Sequence, residues 1–168
     1  MKKILNVVTT IFAVLVIIMA GVLVVPKFLG YKSYTVLSGS MEPKIHTGSL
    51  AFVKPSAPTE VEPNDIITFY LNPTTVATHR AMEVDAENQN FITKGDANDT
   101  ADFEPIPFKN LIGIFVFSVP FMGYVAQFIQ TKAGIVVICV LLIATVLSIM
   151  LPMILKKEQP KEETEEKL

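Results

Sequence analysis

Residues 65–71 read Asp65-Ile66-Ile67-Thr68-Phe69-Tyr70-Leu71, a run of β-branched and aromatic residues with Pro63-Asn64 before it and Asn72-Pro73 after it. This pattern is typical of a β-strand bounded by turns. Similar stretches occur at residues 34–37, 49–53, 76–84, 90–94 and 111–119. Strand follows strand through Pro-rich turns, and no long helical pattern intervenes. We therefore predict an all-β domain, either a sandwich or barrel-like.

Two apolar runs flank this domain. Residues 4–25 and 134–155 contain no charged side chain, and a helix of about 20 apolar residues suffices to cross a bilayer. The alternative for the first run is a cleaved signal peptide, but the apolar part of a signal peptide has only about 7–15 residues. We predict five segments: a cytoplasmic N-terminus (1–3), transmembrane helix 1 (4–25), an extracytoplasmic β-rich domain (26–133), transmembrane helix 2 (134–155) and a charged cytoplasmic tail (156–168).

The lysines predict the orientation of these segments. Lys2 and Lys3 precede the first run, and Lys156 and Lys157 follow the second. Short flanks rich in lysine stay in the cytoplasm, so both ends are expected inside and the middle domain outside. Three lysines on the outer side oppose this orientation: Lys27, Lys32 and Lys132. Residues 121–132 are expected to form a short helix at the membrane surface, because their aromatic side chains suit the headgroup region.

Charge and cysteine content exclude several classes of function. Residues 26–133 carry eight Lys or Arg and eleven Asp or Glu, a net charge of −3, which argues against a nucleic-acid surface. The single cysteine, Cys139, lies in the second apolar run. The middle domain therefore has no thiol nucleophile, no disulfide and no cysteine-based metal site.

A serine motif lies just outside the first apolar run: Ser38-Gly39-Ser40-Met41-Glu42-Pro43. Serine is a poor nucleophile unless a neighbouring base takes its proton. Gly39 leaves room for a substrate backbone beside Ser40, and the Ser38 hydroxyl and the Ser40 backbone N–H are candidates to bind a developing oxyanion. The alternative is an ordinary Ser/Gly-rich turn after a membrane span.

The candidate base is one of two histidines, His46 and His79. His46 is too close to Ser40 along the chain to reach its hydroxyl comfortably. His79 lies in an apparent strand, and a neutral imidazole is the usual partner of a nucleophilic serine. We therefore assign the role of base to His79.

An acidic loop follows the histidine and offers three carboxylates, Asp96, Asp99 and Asp102. One of them would orient the His79 ring and stabilise its charged form. At least one is expected to be an ordinary solvated side chain of a turn.

Calcium binding is an alternative for this loop, because Asp96, Asn98 and Thr100 alternate as oxygen ligands would. The EF-hand pattern is not met, since its closing glutamate would fall at Pro107 and its central glycine at Ala101. We predict no metal and no organic cofactor.

Together these motifs resemble the type I signal peptidases, in particular the endoplasmic-reticulum-type (Ser-His) branch found in some bacteria and in the catalytic subunit of the eukaryotic signal peptidase complex. The resemblance covers residues 34–124. It rests on four motifs in the order of the family: Ser38-Gly39-Ser40-Met41-Glu42-Pro43, Asp65-Ile66-Ile67-Thr68-Phe69, Thr78-His79-Arg80 and Lys94-Gly95-Asp96-Ala97-Asn98. Two positions depart from the usual pattern: Asn64 replaces a glycine, and Ala97 replaces the first of two asparagines.

The resemblance implies a small, mainly β, signal-peptidase-like catalytic domain flanked by two transmembrane α-helices. It implies a serine endopeptidase that removes signal peptides through an acyl-enzyme. Ser40 would be the nucleophile, and His79 would take the place of the lysine base used by the larger bacterial branch. Ser38 would contribute to the oxyanion site. Asp102 looks most like the essential aspartate of the family, with Asp96 next in line.

The partners implied are secretory precursor proteins, the lipid bilayer and possible accessory membrane subunits. The location implied is the plasma membrane, with two spans and an extracytoplasmic catalytic domain, or the endoplasmic reticulum in a eukaryote.

The main alternative is a non-catalytic, membrane-anchored binding or scaffold module, in which Ser40 and His79 would lie far apart. Another is a peptidase that cleaves only itself or one dedicated partner. The sequence Val22-Leu23-Val24-Val25 disfavours it, since it lacks the small residues that signal cleavage requires.

Overall fold

The structure, a computed structural model, describes residues 2–157. The chain divides into two compact units: residues 19–128 form one, and the described parts of the two terminal segments form the other. The described residues contain helices α1 (Lys2–Phe28), α2 (Met122–Gln130) and α3 (Lys132–Lys157), and strands β1 (Lys32–Thr35), β2 (Leu50–Lys54), β3 (Ile66–Asn72), β4 (Thr75–Asp85), β5 (Asn90–Lys94), β6 (Ile106–Pro107) and β7 (Leu111–Val119). Most of the predicted charged tail, residues 158–168, lies outside the described residues.

The described strands form one antiparallel sheet in the order β1-β2-β7-β3-β4-β5-β6. The predicted mainly β domain is confirmed, and each predicted strand appears within about two residues of its expected bounds. Sequence reasoning missed β6, because two residues that include a proline carry no strand pattern. β3, the stretch with which the sequence analysis began, lies between β7 and β4 in the middle of the sheet.

The position of β3 explains its composition. Ile67, Thr68 and Phe69 are completely buried, whereas the end of the strand from Tyr70 onward is exposed. The main core cluster joins residues of β3, β4, β5 and β6 with one loop residue: Val61, Ile67, Phe69, Ala81, Phe91 and Ile106. Burying a side chain such as Phe69 stabilises a fold by about 1.5–3 kcal/mol, so this cluster holds the strands that carry the candidate site.

β4 has two different edges. Its whole first half pairs with β3, from Thr75 opposite Asn72 to Arg80 opposite Ile66. Its pairing with β5 begins only at Arg80, opposite Lys94. Among the described strands, residues 75–79 therefore pair on one side alone, and His79 lies at the end of this open edge.

The helices bear on the prediction of two transmembrane spans. Thr10–Phe28, within α1, is long and apolar enough to cross a membrane. Residues 134–155 are helical as expected, as part of α3. Of the described helices, only α1 passes this test by itself, and a second crossing results only if α2 and Lys132–Leu147 count as one bent span. A second transmembrane helix is thus not shown.

Candidate active site

The serine motif is held in place from both of its ends. On one side, two backbone hydrogen bonds close the loop: the Gly48 N–H donates to the Val36 carbonyl oxygen at 2.8 Å, and the Val36 N–H donates to the Ser49 carbonyl oxygen at 2.9 Å. On the other side, Met41 and Ile45 are buried, at 2% and 1% exposure, and form a second apolar cluster with Ile66 of β3. The short turn that presents Ser40 is therefore anchored to the sheet by its own apolar residues.

His79 stands next to the hydroxyl of Ser40. Its Nε2 atom lies 3.2 Å from Ser40 Oγ, and its Nδ1 atom lies 2.6 Å from Asp102 Oδ2. The side chains of His79 and Asp102 are only 15% and 22% exposed. The imidazole and the ring of Phe69 form an edge-to-face pair, with the centroids 6.1 Å apart and the planes at 75°. Ser40, His79 and Asp102 thus form one hydrogen-bonded series, although 39 residues separate the first two and 23 the last two.

Asp102 lies on a loop, and Thr93 of β5 holds it there. The Asp102 N–H donates to the Thr93 carbonyl oxygen at 2.8 Å, and the Thr93 hydroxyl donates to Asp102 Oδ2 at 2.6 Å. Sequence reasoning did not identify Thr93. The available signal was the alternation of β5, which places Phe91 and Thr93 on the buried side of the strand and so makes Thr93 a polar residue facing the interior.

Asp96 binds a different partner. Its two carboxylate oxygens accept hydrogen bonds from Arg80 Nε at 2.8 Å and Nη2 at 2.6 Å. Arg80 Nη1 also donates to the Asn64 carbonyl oxygen at 2.8 Å. The hydrogen bonds to Asp96 raise the pKa of the Arg80 guanidinium. The structure therefore places the carboxylate of Asp102, and not that of Asp96, on the His79 ring, while Asp99 is exposed.

The loop of Asp96 also touches the nucleophile. The N–H of Ala97 donates to the carbonyl oxygen of Ser40 at 2.9 Å. A Cβ atom on Gly95 would lie 2.6 Å from that same oxygen, a distance at which real Cβ atoms are essentially never found, and 3.1 Å from the Ser40 Cβ. Only glycine fits at position 95 with the loops this close.

The remaining candidates take peripheral positions. Ser38 Oγ lies 3.5 Å from Ser40 Oγ and is exposed. His46 does not bind Ser40; its Nδ1 atom lies 3.6 Å from Glu42 Oε2. Glu42 also accepts from the Thr47 N–H at 3.3 Å, and this hydrogen bond is the main reason that its pKa is lowered. Glu42 thus closes the turn that follows the serine.

These contacts define what the site can do chemically. If Nδ1 of His79 carries the proton donated to Asp102, Nε2 has its lone pair directed at the Ser40 hydroxyl, so the imidazole can accept the serine proton. Beside this pair lies an open cavity of about 830 Å³ lined by His79, Asp102, the end of β3 with the residue after it (70–73) and residues 103–107, 109 and 110. At its rim the side chain of Phe103 is 99% exposed.

Comparison with known proteins points to one group of enzymes. No family model matches the chain. The chain is 36% identical over 121 residues to "Signal peptidase I W" of Bacillus subtilis (strain 168), a match that covers 66% of this chain and 64% of that protein. The chain therefore spans slightly less than two thirds of the length of the curated relative it matches.

Proposed function

We propose that this chain is a type I signal peptidase, a membrane-bound serine endopeptidase that removes signal peptides from secretory precursor proteins; its 36% identity to the signal peptidase of Bacillus subtilis supports this proposal. The observation that carries the proposal is the hydrogen-bonded series from Ser40 through His79 to Asp102. A scaffold module has no need of this arrangement, which matches the nucleophile, base and orienting carboxylate of a serine hydrolase.

The reaction proceeds in two halves. Ser40 Oγ attacks the scissile carbonyl carbon while His79 Nε2 takes the serine proton, and Asp102 stabilises the resulting imidazolium. His79 then gives this proton to the leaving amine, which is the new N-terminus of the mature protein. Water, deprotonated by His79, hydrolyses the ester between Ser40 and the signal peptide, and Ser40 recovers its proton.

The oxyanion of each tetrahedral intermediate needs donors that already point at it. The backbone N–H of Ser40 and the hydroxyl of Ser38 take this role. The Ser38 hydroxyl lies 3.5 Å from the nucleophilic oxygen and is exposed, so it can rotate toward an oxygen that develops beside Ser40.

The precursor binds in an extended conformation. Residues 75–79 of β4 pair with β3 on one side alone among the described strands, and an extended peptide adds to such an edge through main-chain hydrogen bonds. This edge ends at His79, so a peptide bound along it leads to Ser40. Shallow pockets then admit only the small residues of an Ala-x-Ala cleavage site.

The bilayer sets the position of the enzyme. Thr10–Phe28 anchors it, residues 134–155 form the second span, and the β domain of residues 26–133 faces the extracytoplasmic side. Apolar side chains around the end of α1 and the start of α2 are largely exposed: Phe28 87%, Leu29 70% and Phe121 74%. They suit the membrane surface, where anchoring raises the effective concentration of precursors whose signal peptides are also in the bilayer.

The test is cleavage of a labelled precursor by detergent-solubilised protein, wild type against Ser40→Ala. We expect the wild type to release the mature protein and Ser40→Ala to release none, with equal amounts of both proteins in the membrane fraction. Cleavage by Ser40→Ala at the wild-type rate would refute the assigned nucleophile. An inactive wild type, with a precursor that a known signal peptidase cleaves in the same detergent, would support the scaffold alternative.

A further inference from the structure

Asp102 needs an anchor, because the residues from 95 to 105 form no helix or strand. Its hydrogen bonds within the described residues go to His79 and to Thr93. His79 binds through its side chain, and it is the group that Asp102 has to orient. Thr93 binds twice, with its carbonyl oxygen to the Asp102 N–H and with its hydroxyl to the Asp102 carboxylate.

Thr93 is itself rigidly placed. It lies in β5 opposite Ala81 of β4, two residues beyond His79 in the same strand. Its side chain is completely buried, so its hydroxyl has little freedom to take another partner. The base and the anchor of the carboxylate are thus presented by adjacent, paired strands.

From this geometry we infer that Thr93 is a positioning residue, which holds the Asp102 carboxylate in the orientation that serves His79. The inference rests on the proposed function and adds a fourth residue to it. Thr93 Oγ1 and His79 Nδ1 both bind the same oxygen, Asp102 Oδ2, each at 2.6 Å. Two donors that bind the same oxygen fix the direction of the carboxylate. A single hydrogen bond to a side chain on a loop would leave it free to rotate.

The consequence for catalysis follows from the distances. If Asp102 turns away, the His79 ring loses the contact that fixes its tautomer and its tilt, and its 3.2 Å contact with Ser40 is no longer directed. A misplacement of about 1 Å in a catalytic group costs on the order of 100-fold in rate. Thr93 is completely buried and is not among the residues that line the cavity beside His79, so we expect its loss to affect the chemical step and not substrate binding.

The test uses full-length protein in detergent, a labelled precursor and Thr93→Val, which keeps the shape of the side chain and removes the hydroxyl. We expect kcat to fall about 10- to 100-fold, with KM within about threefold of the wild-type value. Thr93→Ser, which restores a hydroxyl, is expected to recover most of kcat. Thr68→Val is the matched control: Thr68 is also completely buried and bonds Thr78 Oγ1 at 2.9 Å, and we expect its kcat to remain near wild type.

A second measurement separates positioning from a merely structural role. When Asp102 is already replaced by alanine, adding Thr93→Val is expected to change kcat by less than about threefold, because the two residues act through one contact. Equal losses in both backgrounds would overturn the inference. Should Thr93→Val fail to fold, Thr93→Ala takes its place, and full kcat in a folded variant of either kind would overturn the inference as well.

The two proposals fail in different ways. If the wild type cleaves, Ser40→Ala does not and Thr93→Val cleaves at the full rate, the peptidase assignment stands and the role of Thr93 is refuted. If the wild type does not cleave the precursor, the proposed function falls and the role of Thr93 falls with it.

Discussion

Arg80 binds both carboxylate oxygens of Asp96, with the two nitrogen–oxygen distances at 2.8 and 2.6 Å. Arg80 directly follows His79 in β4, and Asp96 directly precedes Ala97, whose N–H binds the Ser40 carbonyl oxygen. The ion pair therefore connects the strand that carries the base to the loop that supports the nucleophile. Asp96 thus supports the structure of the site, whereas Asp102 contacts the imidazole of His79 directly.

This difference predicts different effects for the two aspartates. Asp102→Ala is expected to lower kcat by about 10⁴-fold, as when the orienting carboxylate of a Ser-His-Asp site is lost. Asp96→Asn is expected to lower the free energy of unfolding by about 1–3 kcal/mol, because Arg80 loses a charged partner, and to lower kcat much less. Precursor cleavage and urea unfolding measured on both variants check this.

The same pair of assays includes Asp99→Ala, which removes an exposed carboxylate from the same loop. Both its activity and its stability are expected to stay near wild type. A larger loss of kcat for Asp96→Asn than for Asp102→Ala would assign the orienting role to Asp96 instead.

Replacing His79 by lysine probes why this site uses an imidazole. A lysine acts as a base only where burial favours its neutral form, whereas a nearby carboxylate favours the charged form. The carboxylate of Asp102 lies 2.6 Å from the His79 ring, so a lysine here is expected to stay protonated and inactive. We predict a loss of at least about 10³-fold in kcat for His79→Lys, within the range for a missing general base.

The double variant His79→Lys/Asp102→Ala tests this explanation directly. With the carboxylate gone, the lysine is more easily deprotonated, and we expect higher activity than for His79→Lys alone, measured at pH 7 and pH 9. Equal activity of the single and double variants at both pH values would show that Asp102 is not the reason that the lysine fails to act as a base.

Much of the fold follows from local pattern, because the strands are short, β-branched and separated by prolines. β3 is an example: its apolar run is bounded by turns on both sides, and it becomes the buried centre of the sheet. The association of Ser40 with His79 could also be anticipated, since few side chains in the domain can serve as base and nucleophile.

Other features depend on contacts that no local pattern records. Thr93 looks like any strand threonine until the loop of Asp102 folds back onto it. Composition alone does not distinguish Asp96 from Asp102, and the sequence ranked them only through the family resemblance. The folded loop brings Asp96 to Arg80 and Asp102 to His79. The open edge at residues 75–79 likewise arises from where β5 begins to pair, which is a property of the sheet.

Gly95→Ala tests the close approach between the acidic loop and the nucleophile. The added methyl group would lie 2.6 Å from the Ser40 carbonyl oxygen, so one of the two loops has to move. We expect destabilisation of about 1–3 kcal/mol from overpacking and a clear loss of kcat in the protein that remains folded. Gly21→Ala is the control, since nothing lies within 4 Å of its added Cβ; a folded, fully active Gly95→Ala would contradict the contact.

Glu42 gives the stability of the serine turn a dependence on pH. Its pKa is lowered from 4.5, chiefly by the hydrogen bond from the Thr47 N–H. A carboxyl group with a lower pKa in the folded protein than in the unfolded one stabilises the fold above its unfolded pKa. That contribution disappears as the pH falls through the folded pKa.

We therefore expect wild type to unfold at higher urea concentration than Glu42→Gln at pH 6 to 7. The difference should shrink as the pH is lowered below about 4.5, measured by circular dichroism in detergent; a gap that stays constant down to pH 3 would mean that the ionised carboxylate does not hold this turn.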